Sequence, residues 1–91
     1  MPEARASEAG PAAERMAVAF ARILRGAGLD VPVGRAVTFA EALTLTGVDR
    51  SGAVYWAGRT TLVARPEDIP AYDTAFSAFW RGRTAALFES E

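Results

Sequence analysis

Aromatic residues at helical spacing near the carboxyl end restrict the fold more than any other feature of the chain. Four of the nine aromatic residues stand at positions i, i+4, i+7 and i+8 of one stretch, and they are Tyr72, Phe76, Phe79 and Trp80. Residues at this spacing share one face of an α-helix. Because each buried aromatic side chain removes about 150–250 Å² from water, the stripe is predicted to form the centre of the core. The alternative is that it lines a groove for a cofactor or a peptide.

The length and charge of the chain favour one small domain without affinity for nucleic acid. The 91 residues suffice for a single modest core. About half of the residues are apolar, at 51%, so the chain is able to collapse. The net charge is −1, and the ten basic residues, all of them Arg, are spread along the sequence. Nucleic-acid binders concentrate basic residues on one face, so no nucleic-acid partner is expected.

Two residue types that carry much of enzyme chemistry are missing from the sequence. The chain contains no Cys, which excludes disulfides, thiolate nucleophiles and Cys zinc sites. It contains no His, the commonest general base and metal ligand. We therefore expect no enzyme activity, no cofactor and no metal site. The apolar runs are shorter than the ~20 residues that span a bilayer, and no signal peptide is recognisable, so a cytoplasmic protein without membrane contact is expected.

Hydrophobic periodicity predicts an all-α protein, a compact bundle of about four short helices. Residues 1–11 mix Pro, Gly, Ala and charges without a period, and they are interpreted as a flexible tail. The helical domain is predicted over residues 12–85, followed by a frayed C-terminus at 86–91. The four helices are expected at about 12–26, 33 or 34 to 45, 50–64, and 67 or 70 to 82.

Glycines and one Asp mark the predicted helix ends. Gly28 and Gly47 are expected to stop the first and second helices, and Gly82 the fourth, since Gly adopts positive φ without strain. Asp49 is a candidate N-cap for the third helix. Gly58 lies in the middle of that helix, where it costs about 1 kcal/mol relative to Ala. A helix tolerates this cost where another element crosses closely, so a close contact is predicted at Gly58.

The same patterns divide side chains between the core and the surface. The predicted core comprises Phe20, Leu24, Leu43 and Leu62 together with Tyr72, Phe76, Phe79 and Trp80. Because Arg and aromatic residues are enriched at protein interfaces, a partner surface is predicted from Tyr55, Trp56, Arg59 and Arg81.

Three local patterns contain residue types that can carry chemistry. Glu67 and Asp68 are adjacent carboxylates, but neighbours in a first helical turn point apart, so they are interpreted as favourable charges at a helix N-terminus. The segment 49–52, Asp-Arg-Ser-Gly, resembles the start of a von Willebrand factor A domain metal loop, yet it supplies too few oxygens for Mg²⁺. The segment 39–62 resembles a weak helix-turn-helix, which leaves a small DNA-binding regulator as the alternative function.

Several segments in the same order resemble CoxE-like proteins that contain a von Willebrand factor A domain. The segment 20–29 (FARILRGAGL) is similar to their opening helix. The next signatures resemble VYWA at 54–57, TLV at 61–63 and RPEDIP at 65–70. Asp73, Phe76, Phe79 and Trp80 resemble the aromatic helix that follows. The similarity covers about residues 14–82.

The resemblance implies a non-enzymatic helical interaction module. In that family the helical region precedes a metal-binding A domain, and the proteins act with MoxR-type AAA+ ATPases in the chaperone-like maturation of a metalloenzyme or complex. The expected partners are therefore an A domain, a MoxR-type ATPase or a second copy of the chain. Metal binding is not carried over, because the A domain and its metal loop are absent from these 91 residues.

Overall fold

Four α-helices and one 3₁₀ turn account for the part of the chain that the structure describes. The structure, a computed structural model, describes the backbone of residues 2–89 and the side chains of residues 10–85. The helices are α1 (Pro2–Gly26), α2 (Val33–Thr46), α3 (Ser51–Leu62) and α4 (Ile69–Glu89), with the 3₁₀ turn at Pro66–Asp68. No strand occurs within residues 2–89, so the all-α prediction is confirmed.

The core is centred on Phe20 of α1, whose ring packs against aromatic rings of α2 and α4. α1 packs on α2 and α2 on α3, while α4 returns to contact both α1 and α3. The Phe20 ring is fully buried. Its centroid lies 6.1 Å from that of Phe39, and 5.6, 5.8 and 5.1 Å from those of Tyr72, Phe76 and Phe79. The aromatic side chains of α4 therefore surround a ring from α1, and both helices contribute to the centre of the core.

The eight side chains predicted for the core differ in how deeply they are buried. Six are buried, and they are Phe20, Leu24, Leu43, Leu62, Tyr72 and Phe76. Phe79 and Trp80 are half-buried against this core. The Trp80 ring stacks on Phe76, with centroids 5.9 Å apart, and keeps part of its surface exposed. Phe39 and Val54 complete the set of fully buried large side chains.

The end of α1 is a Schellman motif, a pair of backbone hydrogen bonds that closes a helix around a glycine. The Leu29 amide donates to the Leu24 carbonyl and the Gly28 amide to the Arg25 carbonyl, both at 3.0 Å. Gly28 has φ +96°, a conformation that favours glycine. Leu24 and Leu29 are both buried, which is the apolar contact that accompanies the motif. The predicted stop at Gly28 is confirmed.

The connection between α2 and α3 confirms one predicted end and corrects the other. Gly47 ends α2 with φ +86°, and its amide donates to the Leu43 carbonyl at 2.7 Å. The predicted N-cap at Asp49 is wrong. Arg50 occupies the N-cap position and makes no side-chain capping bond. Asp49 lies one residue before it in a bend, so its carboxylate is not at the position from which a cap reaches the first free amides.

Helix α1 begins earlier than the sequence suggested. It starts at Pro2 and continues through Pro11, whereas the predicted start was residue 12. Proline in a helix interior removes one hydrogen bond, and the neighbouring Gly10 has low helix propensity. The surrounding Ala and Glu residues are strong helix formers, which outweighs that loss. Met1 and the side chains before residue 10 lie outside the described residues, and flexibility of residues 1–11 stays a prediction.

Helix α4 also extends past its predicted end. Gly82 was expected to cap it, but the helix continues through Gly82 to Glu89. A single interior glycine costs only about 1 kcal/mol, and the Thr84 hydroxyl donates to the Trp80 carbonyl at 2.9 Å across this position. The side chains from residue 86 onward, with Ser90 and Glu91, lie outside the described residues, so the fraying predicted for 86–91 is not addressed.

A close crossing at Gly58 joins α4 to α3. The Tyr72 hydroxyl passes over Gly58 and donates to the Tyr55 carbonyl at 2.7 Å. A Cβ atom on Gly58 would overlap the Tyr72 hydroxyl and would lie 3.3 Å from Cε1 of Phe39. The close contact predicted at Gly58 is confirmed, and the missing side chain is what admits the buried phenol.

We expect Gly58→Ala to lower the free energy of unfolding by about 1–3 kcal/mol, because overpacking against Tyr72 outweighs the gain in helix propensity. Urea denaturation measures this change. Gly52→Ala is the matched control, since Gly52 lies in the same helix with no atom within 4 Å of an added Cβ. The double variant Gly58→Ala/Tyr72→Phe should recover part of the loss; strictly additive effects would contradict the crossing.

The stability of the fold should fall at alkaline pH through Tyr72. Burial, followed by the nearby charges of Tyr55 and Asp73, raises the pKa of Tyr72 above its ordinary value of 10.0. In the unfolded chain this phenol ionises near pH 10. Between that pH and the higher pKa of the folded state, only the unfolded chain loses the proton, so rising pH favours unfolding. The sequence has no Lys, Cys or His, so few other groups titrate in this range.

From pH 10 to 12, the free energy of unfolding should therefore fall by up to ~1.4 kcal/mol per pH unit more in the wild type than in Tyr72→Phe. Urea titrations at successive pH values give both profiles. The Tyr72→Phe substitution removes only the hydroxyl, so the difference between the two profiles reports on the Tyr72 phenol. Parallel profiles would show that Tyr72 is not held in its neutral form.

Candidate functional site

An aromatic strip runs from an exposed ring on α3 to a half-buried ring on α4. It comprises Trp56, Tyr55, Phe76 and Trp80 in that spatial order. The ring centroids of consecutive members lie 5.1, 5.3 and 5.9 Å apart. Trp56 is 58% exposed, while Phe76 is buried in the core. The strip thus connects the surface directly to the rigid interior.

Two arginines cover the ends of the aromatic strip. The guanidinium carbon of Arg59 lies 5.3 Å from the Trp56 ring centroid, and that of Arg83 lies 5.6 Å from the Trp80 centroid. Both distances are within the range of cation–π attraction. Each arginine follows its tryptophan by three residues, so the two side chains lie on the same helix face.

A hydrogen-bonded chain fixes the aromatic strip where α3 meets α4. The Tyr55 hydroxyl donates to Oδ1 of Asp73 at 2.6 Å, and Nη1 of Arg59 donates to the Tyr55 hydroxyl at 3.0 Å. The Asp73 carboxylate and the Arg59 guanidinium are thereby joined through one phenol. Since Arg59 also covers Trp56, the exposed indole is held by a neighbour whose position is itself fixed.

The structure brings together three of the four side chains predicted for the partner surface. Tyr55, Trp56 and Arg59 are neighbours on α3, whereas Arg81 is exposed on α4 and makes no hydrogen bond or ion pair with the described residues. Asp73 and Arg83 join the strip although the prediction did not include them. Asp73 is 18 residues from Tyr55 in sequence, and no local spacing links the two.

A shallow groove lies beside Trp56, between α2 and α3. Its volume is about 750 Å³. Besides Trp56, its lining includes Ala42 and Thr46 of α2 with Ala53, Ala57 and Thr60 of α3. Apart from Trp56 and Arg50, the residues that line it are small, so an apolar group of a partner could enter it next to the indole.

The sequence patterns considered for chemistry occupy surface positions. Glu67 pairs with Arg65 at 2.8 Å in the turn before α4, where both side chains are exposed. The pKa of Glu67 is lowered first by its own backbone amide and then by Arg65. Within the described residues, no group of three or more acidic side chains could hold a metal ion. The segment 49–52 forms a bend and the first turn of α3.

The helix-turn-helix resemblance has a structural counterpart in α2, Gly47 and α3. A recognition helix needs side chains that reach base edges and phosphates. On α3, however, Arg59 is engaged by Tyr55 and Trp56. The net charge of −1 supplies no basic field for DNA. No helix among the described residues has the length and apolar character needed to cross a membrane.

Comparison with known proteins gives a match to a family model. The model for the CoxE N-terminal helical bundle domain matches residues 17–83, which is 67 of the 91 residues. The matched segment runs from the middle of α1 to α4 and contains the whole aromatic strip. Neither the curated proteins nor the solved structures gave a match.

Proposed function

The chain belongs to the CoxE N-terminal helical bundle domain family, and from this membership we propose that it is a non-catalytic docking module of the cytoplasm. Its partners in this proposal are a von Willebrand factor A domain and a MoxR-type AAA+ ATPase. Together they would act in the maturation of a metalloenzyme or complex. The family match over residues 17–83 carries the proposal, and the aromatic strip supplies the surface for docking.

The composition of the aromatic strip suits a binding hot spot. Trp, Tyr and Arg are the residue types that dominate hot spots at protein interfaces. Trp56 presents a large apolar ring to solvent, and Arg59 and Arg83 keep guanidinium groups at the two ends. A partner with an apolar pocket for the indole would complement this surface.

The rigidity of the strip lowers the cost of binding. Association is weakened by the ordering of mobile side chains, at about 0.5–1.5 kcal/mol for each one immobilised. The bonds among Tyr55, Asp73 and Arg59 already hold these side chains before a partner arrives. Since Trp56 stands at the end of this network, its exposed ring offers contact area with little further ordering.

Variants of the full chain test this surface against the A-domain protein and the MoxR-type ATPase of the same genome. We expect Trp56→Ala to weaken binding by about 30-fold, equivalent to ~2 kcal/mol, the scale of a hot-spot residue. Isothermal titration calorimetry measures the affinity. The fold should persist, because Trp56 is largely exposed, and thermal unfolding followed by circular dichroism checks this.

Leu45→Ala is the matched control, since Leu45 is 88% exposed on α2 and lies outside the aromatic strip. It should bind both partners as the wild type does. An equal loss of affinity in Trp56→Ala and Leu45→Ala would show that the aromatic strip is not part of the interface. If the wild-type chain binds neither protein, the proposed function is overturned.

A further inference from the structure

A second exposed surface lies between α1 and α2, and it shares no residue with the aromatic strip. It is a groove of about 860 Å³. Three of the six large hydrophobic side chains that are exposed among the described residues line it, namely Val18, Val33 and Val37. These side chains are 57%, 73% and 51% exposed. Exposed apolar side chains gathered on one surface are typical of an interaction site.

The floor of the groove is built from alanines. Ala17 and Ala21 of α1 and Ala36 and Ala40 of α2 line it. Small residues at the seam of two helices allow another helical surface to approach closely, with its side chains between the ridges. The backbone groups of α1 and α2 are paired within each helix, so the groove offers little to the backbone of an extended peptide. A helical surface is therefore the occupant that fits.

Charges of opposite sign stand at the two ends of the groove. α1 and α2 are joined by the short connection at 27–32 and run antiparallel, so Glu14 and Glu41 lie at one end and Arg25 at the other. Glu14 and Arg25 are separated by about 16 Å along α1, at 1.5 Å per residue. Nε of Arg25 donates to the Val31 carbonyl at 2.9 Å, which anchors the guanidinium at its end.

We propose that a second copy of this chain occupies the groove. A two-fold axis in the interface plane, perpendicular to the helices, would set the two grooves antiparallel. Glu14 of each copy then faces Arg25 of the other, which makes the surface complementary to itself in charge. Val18 lies near the midpoint between these two charges and meets its own counterpart close to the axis. The paired α1–α2 hairpins form a four-helix arrangement.

The size of the groove sets the strength of this dimer. Thirteen residues line it, whereas a standard interface uses ~20–30 residues on each side. The dimer is therefore expected to be weak. Salt should weaken it further, because the Glu14 and Arg25 side chains are exposed.

Sedimentation equilibrium of the full chain over a wide concentration range tests the dimer directly. Val37→Asp should raise the dissociation constant at least tenfold, because it places a carboxylate in the middle of the apolar surface. Leu45→Asp introduces the same charge at an exposed apolar position of the same helix and should leave association unchanged. A chain that stays monomeric at millimolar concentration, or equal effects of the two variants, would overturn the proposal.

A mixing experiment tests the antiparallel arrangement. Glu14→Arg alone and Arg25→Glu alone place like charges opposite each other, so each should self-associate at least fivefold more weakly than the wild type. In an equimolar mixture, the arginine introduced at position 14 of one copy faces the glutamate introduced at position 25 of the other. At the opposite end the native Arg25 of the first copy faces the native Glu14 of the second, so the mixture should associate about as well as the wild type.

Two controls accompany the mixing experiment. Circular dichroism confirms that Arg25→Glu folds, since this substitution also removes the hydrogen bond to the Val31 carbonyl. Arg22→Glu makes the same charge change on α1 outside the groove, and it should leave self-association unchanged. A mixture that associates no more strongly than its components would exclude the antiparallel arrangement.

The dimer test is independent of the proposed function. A monomeric chain that still binds its partners through Trp56 overturns the dimer alone. A dimeric chain that binds neither partner overturns the docking function alone. Loss of a partner from a monomeric chain through Val37→Asp, but not through Leu45→Asp, would assign the groove to a helix of that partner and overturn its occupation by a second copy.

Discussion

The crossing of Tyr72 over Gly58 is the contact on which the candidate site depends. It brings a buried phenol from α4 into hydrogen-bond distance of the Tyr55 carbonyl on α3. Buried hydroxyls are costly without a partner, so this bond favours the packing of α4 against α3 in which the phenol reaches the Tyr55 carbonyl. With that geometry set, Asp73 of α4 meets the Tyr55 hydroxyl. The surface network is thus a consequence of one interior crossing, which in turn requires a position without a Cβ atom.

The side chains that stabilise the core differ from the one that the candidate site exposes to solvent. Phe20 lies among four aromatic rings, and contacts of this kind contribute about 0.5–1.5 kcal/mol beyond area burial. Trp56 contacts Tyr55 at the edge of this core and is 58% exposed. In the proposed docking function, this exposed ring is the part of the aromatic strip that a partner covers.

The sequence predicted those features that depend on local periodicity and missed those that depend on distant contacts. Residue spacing predicts the aromatic face of α4. Glycine's conformational freedom predicts the helix ends at Gly28 and Gly47, and the missing side chain of Gly58 predicts the close contact there. The caps assigned to Asp49 and Gly82 failed because a capping residue type does not by itself fix where a helix ends. The pairing of Tyr55 with Asp73, and the groove between α1 and α2, arise only when the helices have packed. Neither feature can be recognised from the spacing of residues along the sequence.

The two exposed surfaces are compatible because they use different side chains. In the proposed dimer, the grooves of two copies cover each other while the aromatic strip of each copy stays exposed. An oligomeric partner could then engage both strips at once, and the second contact would form at the high effective concentration set by the first. A strip of only moderate affinity would suffice under these conditions. Weak self-association would thereby make docking sensitive to the concentration of the chain, since a monomer presents one strip and a dimer presents two.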